Sequence, residues 1–386
     1  MTTPHEAERL ARVELSRLFE PGEPRLTRAV AQAGGVAVLA STREVLARTN
    51  SSGERDVRMD AETRVGAIDP ARDLERAASG GIRFVIPGDG EWPRVLDDLA
   101  AAPDSSGHGG PPVGLWVRGC ARLDQLDSSV AVVGSRNTTM YGVETARELG
   151  AELAAAGLPV VSGGALGIDQ AAHRGALAGH GTTVAFLAGG VDRYYPRANE
   201  PLLAHLAKHG ALVSESPPGT IHYPNRFLAR NRLIAAMSAG TVVVEAALRS
   251  GALSTARWAE AMSRPVMGIP GPVTSHTSRG VHEAIRSGMA TLVTCGADVA
   301  EVVGRAGQGL LDVPRGDVRP RDSLSQRQRR LLEAVPVDRP AATESIAAAA
   351  GIALVDAAAS IDRLAQRGFV ERAGAGWVLG ARHRTV

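Results

Sequence analysis

Lysine is almost missing from this sequence: Lys208 stands alone among 43 basic residues, and arginine supplies the rest. The formal net charge is only +2. No global attraction to a polyanion is therefore forced, and anion binding has to come from where the arginines sit. High arginine with 44 glycines is also what a GC-rich genome produces, so the count itself assigns no function. Cysteine is scarce too: Cys120 and Cys295 are the only two, with no CxxC spacing and no histidine cluster at metal spacing. That argues for a reducing compartment and against structural zinc or another metal site. No apolar run approaches the ~20 residues of a membrane-spanning helix. The opening MTTPHEAERLARVELSRL is charged and amphipathic, without the basic-then-apolar order of a signal peptide, and the expected location is the cytoplasm. Neither GxGxxG nor GxxxxGK[ST] occurs, so the common dinucleotide and nucleoside-triphosphate fingerprints are missing.

What is present is organised around Ser129–Gly142, SVAVVGSRNTTMYG. Val130 to Val133 form a continuous apolar run, as expected of a strand buried on both faces of a parallel sheet. The run breaks into Gly134-Ser135-Arg136-Asn137-Thr138 just before a predicted helix. Free backbone N–H groups, a helix N-terminus and the charge of Arg136 make that turn a seat for phosphate.

At 386 residues the chain exceeds one ordinary core, and two or three domains are expected. Over 129–303 apolar strands alternate with helices as in an α/β doubly wound sheet. Strands are predicted over 130–134, 159–162, 183–187, 211–214, 241–245 and 265–269, and helices over 142–156, 168–179, 199–209, 227–238 and 252–263. Ligands of such sheets bind outside the carboxyl ends of the strands. Those ends carry Gly134-Ser135-Arg136, then Gly163, Gly164 and Gly167, then Gly189-Gly190, Ser214-Glu215, Glu245 and Pro270-Gly271. Glycine there lets a phosphate approach the backbone. Asp169, Asp192, Glu215 and Glu245 offer carboxylates on the rim, where capping or pairing with arginine is the common role. His173 reads as a core or capping residue, and no nucleophile–base pair has a spacing that compels a reaction.

A second informative stretch is His222–Arg232, HYPNRFLARNR, with Arg226, Arg230 and Arg232 interleaved with Tyr223 and Phe227 and no acid. The whole chain has four Trp, four Tyr and five Phe, so two aromatics in this short basic stretch are a local enrichment. Cations tracking phosphates beside aromatic stacking platforms suit single-stranded nucleic acid. On a helix from 227, Phe227, Arg230, Leu233, Ile234 and Met237 share one face, so Arg230 must be paired, against Glu215 or Glu245, or reach a ligand. Arg232 falls on the other face and, like Arg226, needs no protein partner.

These stretches carry a resemblance. VAVVGSRNTTMYG (130–142), SGGALGIDQAAHRGAL (162–177), LAGGVDRYYPRAN (187–199), SESPPG (214–219), FLARNRLIAAMS (227–238), VVEAALRSGALSTA (243–256) and IPGP (269–272) together resemble the DNA-processing protein A (Smf) family. The resemblance implies an extended Rossmann-like fold that binds single-stranded DNA rather than a cofactor. It implies a recombination mediator, not an enzyme, that protects incoming strands in natural transformation and helps load the RecA recombinase, commonly as a homodimer. The family's Gly-Ser-Arg turn falls on Gly134, Ser135 and Arg136, and its Arg-Asn-Arg segment on Arg230, Asn231 and Arg232. Where relatives use lysine against DNA, this chain has to use arginine, which binds phosphate and also stacks. The alternative is a nucleotide-hydrolysing enzyme built on the glycine-rich rim and Glu245.

The flanks complete the organisation. Residues 1–75 read as a small helical module, either helix-hairpin-helix-like or a packing domain, with breaks at Pro21-Gly22 and Gly34-Gly35. Strands at Ile82–Pro87 and Leu115–Gly119 begin the main domain, 76–303. Trp92 reads as a core anchor, and the loop 101–112 between the strands is expected to be mobile. A Gly- and Pro-rich linker is expected over 304–322. Residues 323–386 read as three helices and a hairpin, a winged-helix-like domain whose second turn helix, 354–366, offers Arg363 only late in its length. Protein contact or weak duplex binding is expected there rather than sequence-specific reading.

Overall fold

The computed structural model describes residues 3–49, 68–304 and 319–380. The chain forms two compact units, one within 1–311 and one within 312–386. Most of the expected linker and residues 50–67 of the N-terminal module lie outside the described residues.

The first unit opens with α1 (Pro4–Leu18), α2 (Pro24–Ala33), α3 (Gly35–Thr49) and α4 (Pro70–Ser79). Three of these helices begin with proline behind a residue whose side chain accepts a first-turn N–H: Thr3, Glu23 and Asp69. Proline's missing N–H costs nothing at that position. The sheet then builds from β1 (Ile82–Val85), β2 (Leu115–Gly119) and β3 (Val130–Val133). Helix α5 (Met140–Ala155), β4 (Val160–Gly163), α6 (Ile168–Ala178) and β5 (Thr183–Phe186) follow. Next come α7 (Glu200–His209), β6 (Ala211–Ser214), α8 (Pro224–Met237) and β7 (Gly240–Val243). The unit ends with α9 (Ala252–Ala261), β8 (Val266–Gly268), α10 (Arg279–Arg286), β9 (Thr291–Leu292) and α11 (Gly296–Val303).

The nine strands lie in the order β1-β2-β6-β5-β4-β3-β7-β8-β9. Pairs β1/β2 and β2/β6 are antiparallel, and all others are parallel. This is the expected Rossmann-like doubly wound α/β fold, extended by an antiparallel edge. Strand β3 lies centrally, so its alternate residues face two different cores. Val130 and Val132 pack with Ala146, Leu149 and Leu153 of α5 and Ala172 of α6. Ala131 and Val133 pack with Leu233 and Ala236 of α8 and Trp258 of α9. Burial on both faces is why the strand reads as an unbroken apolar run, and each such valine contributes about 1.5–3 kcal/mol. Trp92 lies in the same core as α8, as expected of an anchor. The N-terminal module closes the antiparallel edge: Val13 and Ala77 pack on Ile82, Phe84 and Trp116.

Helix α8 starts at Pro224, three residues before the expected Phe227, because proline suits a first turn. The whole segment from Arg226 to Arg232 is therefore helical. The second unit holds α12 (Gln326–Glu333), α13 (Thr343–Ala350) and α14 (Leu354–Gln366), then a hairpin of β10 (Val370–Ala373) and β11 (Gly376–Leu379). Its own core joins Leu331, Ile346, Ile361, Leu364 and Phe369. No single helix among the described residues is long and apolar enough to cross a membrane.

Candidate nucleic-acid interface

The turn after β3 is held by backbone and by one carboxylate. Ser135 N–H donates to Glu245 O at 2.7 Å, and Ile168 N–H donates to Ser135 O at 3.2 Å. The Glu245 side chain, 1% exposed, accepts from Thr138 Oγ1 (2.5 Å), Thr139 N–H (2.9 Å), Thr139 Oγ1 (2.7 Å) and Thr277 Oγ1 (2.9 Å). These donors outweigh burial and hold its carboxyl below the usual range. Glu245 is thus a pillar that shapes the Gly134–Thr139 turn, and the hydroxyl of Thr138 is spent on it.

Two cavities open on this turn. One, about 290 Å³, is the more polar, with about as much polar as apolar surface; Gly134, Ser135, Arg136, Asn137, Asp169, Asn231 and Ser250-Gly251 just before α9 line it. The other, about 160 Å³, is mostly apolar, between Leu187, Tyr195, Pro196, His222 and Phe227. Arg136, Ala165 and Arg230 line both. Tyr195 stacks on His222 with ring centroids 4.9 Å apart, and Phe227 lies 5.9 Å from Tyr195. The Arg136 guanidinium sits 4.7 Å from the centre of the Phe227 ring, and Arg136 is exposed. Burial, then Arg226 and Arg193, lower the pKa of His222, so its ring is neutral near pH 7.

Arg230 is 7% exposed and lies beneath the turn, donating from Nη1 to Phe186 O at 2.8 Å, while its Nε has no partner. Its counter-charge is Asp169, not Glu215 or Glu245 as the sequence suggested. Burial lowers the pKa of Arg230 to about 10 despite Asp169, and burial raises that of Asp169 despite Arg230. Gly163 makes room for this pair: a Cβ there would come within 1.9 Å of Arg230 Nη1. Gly167 turns the chain into α6 at φ +85°, where a Cβ would meet Ser135 O at 2.4 Å. Gly164 faces Leu187 beside the aromatic cavity. Asn231 Nδ2 donates to Gly251 O at 3.2 Å and so ties α8 to the start of α9.

Arg232 corrects the sequence expectation outright. It is 0% exposed, with Nη1 and Nη2 each 2.6 Å from Glu215 and Nε donating to Gly110 O at 3.0 Å. The far face of α8 does not meet water, because the loop expected to be mobile covers it. Gly109 N–H donates to Gly22 O at 3.0 Å, and Thr27 Oγ1 donates to Gly109 O at 3.2 Å, pinning that loop to the N-terminal module. Arg226 also has a protein partner, Glu20, through two contacts of 2.7 Å. His173 is buried as expected, bonded to Thr183 Oγ1 (2.7 Å) and Gly163 O (2.8 Å). Tyr195 and His222 were not singled out from sequence, although both lie inside quoted motifs. Their weight comes from stacking across 27 residues of chain, which spacing does not reveal. Among the described residues no group of three or more His, Cys, Asp or Glu side chains is placed to hold a metal.

Comparison with known proteins places this geometry. The family model for DNA recombination-mediator protein A matches residues 83–304. A DNA processing protein A relative from Mycobacterium tuberculosis is 46% identical over 287 residues, 73% of either chain. Protein Smf of Escherichia coli is 40% identical over 219 residues, 56% of either chain. The X-ray structure of DNA processing protein A from Streptococcus pneumoniae superposes with a TM-score of 0.59 at 30% identity, covering 78% of this chain and 98% of that one. The match spans the whole sheet and both cavities, and the chain belongs to the DNA recombination-mediator protein A family.

Proposed function

We propose that this protein is a cytoplasmic, non-enzymatic mediator of recombination that binds single-stranded DNA at the paired cavities, protects the strand and helps load RecA onto it, acting as a homodimer. The observation that carries the reading is the position of Arg136. It stands between a polar cavity suited to phosphate and an aromatic cavity suited to a base, stacked on Phe227 and without an ion pair among the described residues. Gly134, Asn137 and the Ser250-Gly251 entry to α9 line the phosphate side, while Ser135 shapes the turn by spending its N–H on Glu245 O and its hydroxyl on Asn137 O. Tyr195, His222 and Phe227 supply stacking on the base side. Stacking tolerates any base, so the strand is held largely without reading its sequence. Gly163, Gly164, Gly167, Thr138 and Arg232 act from behind by shaping the turn and α8. The alternative use of Glu245 as a hydrolytic group is disfavoured, since four donors already occupy its carboxylate. The second unit, read as winged-helix-like, contributes contacts other than the strand site.

Fluorescence anisotropy of labelled oligo-dT and of a duplex of equal length, across a salt series, tests this. The expected result is a salt-sensitive single-strand preference that Arg136→Ala weakens, lowering the logarithmic salt slope by ~0.7 for one lost phosphate contact. An unchanged slope would remove Arg136 from the site. Turnover of a nucleotide by the wild type would revive the enzyme reading.

A further inference from the structure

Beside the aromatic cavity, on the residue that precedes Phe227, the N-terminal module sets an anion against an arginine. Glu20 follows α1 on the N-terminal module, and its two carboxylate oxygens accept from Arg226 Nε and Nη2, both at 2.7 Å. The remaining Nη1 donates to Ile221 O at 2.9 Å, and the guanidinium lies 4.8 Å from the centre of the Tyr223 ring. The Arg226 side chain is only 11% exposed, whereas that of Glu20 is 52% exposed. A bidentate carboxylate on arginine occupies the same fork that a phosphate takes. The module also grips the other end of this loop, where Arg17, paired with Asp73, donates to Pro218 O at 3.3 Å. The loop carrying His222 into the aromatic cavity is therefore held at both ends by the N-terminal module.

We propose that Glu20 is a phosphate stand-in: it occupies Arg226 in the free protein, a DNA strand displaces it, and it thereby favours strands over free nucleotides. The inference rests on the single-strand reading above. A strand leaving the aromatic cavity supplies further phosphates that can take Arg226, and the half-exposed carboxylate returns to water at small cost. A mononucleotide spends its one phosphate in the polar cavity and has none left for Arg226. Glu20 thus sets a threshold of length and charge that ligands have to pass.

The test is anisotropy with labelled oligo-dT over a salt series, using wild type, Glu20→Gln, Arg226→Gln and the double variant. Glu20→Gln is expected to tighten strand binding several-fold and to steepen the salt dependence by ~0.7 in logarithmic slope. Arg226→Gln is expected to cost more in the Glu20→Gln background than in wild type. Unchanged or weaker binding by Glu20→Gln, with an unaltered melting temperature, overturns the proposal. A second readout needs no change at Glu20. The arginine Nε–Hε NMR signal of Arg226, assigned with Arg226→Lys, is expected to shift with oligo-dT and stay put with thymidine monophosphate; no shift with oligo-dT also overturns it. Absence of salt-dependent oligo-dT binding by wild type would bring down the single-strand reading and this proposal together. Intact binding that Arg136→Ala weakens and Glu20→Gln leaves unchanged would bring down this proposal alone.

Discussion

Arginines in this protein divide into those enclosed in the fold and those at least partly open to solvent, such as Arg136 and Arg226. Arg232 is of the first kind. Arg232→Met would leave Glu215 buried without its counter-charge, which is expected to cost about 3–5 kcal/mol in urea unfolding, whereas Arg232→Met with Glu215→Leu should recover most of that loss. The same residue was misplaced by periodicity alone, because its partners are Glu215, just past β6, and Gly110, 122 residues earlier. Arg230, read as either paired with Glu215 or Glu245 or reaching a ligand, is buried with Asp169 as its opposing charge, which depends on how α6 and α8 meet. His173 gives a pH signature. Burial lowers its pKa from 6.5 to about 4. The neutral form is native, so stability is full above the unfolded value and is lost as pH falls from about 6.5 toward 4. This one group is expected to remove about 2 kcal/mol between pH 7 and pH 5. Urea midpoints of wild type and His173→Gln across that range check it: the variant should be weaker at pH 7 and show a flatter pH dependence.

At the scale of elements, the central strands and the turn after β3 were legible because β3 to β8 are fully buried and β3 runs directly into Gly134-Ser135. The basic and aromatic composition of α8 was legible as well. Its partners across the aromatic cavity were not, since Tyr195 and His222 come from two loops that only the sheet order brings together. The loop 101–112 looked empty because its composition offers little to bury. What fixes it is backbone hydrogen bonding to Gly22 and Thr27, which composition does not record. If the cavity stacks a base, Phe227→Ala should weaken oligo-dT binding by about 1–3 kcal/mol with little change in the unfolding midpoint, because Phe227 is only partly buried. Equal binding by the variant would take the aromatic cavity out of the interface.

At the scale of the whole molecule, the two units have separate cores. Helix α14 of the smaller unit exposes Leu354 and Val355 at its start, where a phosphate-binding helix would carry cations. A chain ending at residue 311 is therefore expected to keep most of its oligo-dT affinity, measured by anisotropy beside a melting curve that shows the truncated chain folded. The central claim, that a strand's base enters the Tyr195–His222–Phe227 cavity while its phosphate sits on the Gly134–Asn137 turn, is tested most directly by photocrosslinking. Oligo-dT carrying 5-iodouracil would be irradiated with the full-length protein and the adducts mapped by mass spectrometry. Adducts on Tyr195, His222 or Phe227 that disappear under excess unlabelled strand are expected. Adducts confined to the 319–380 unit, or to the sheet face away from β3, would contradict that claim.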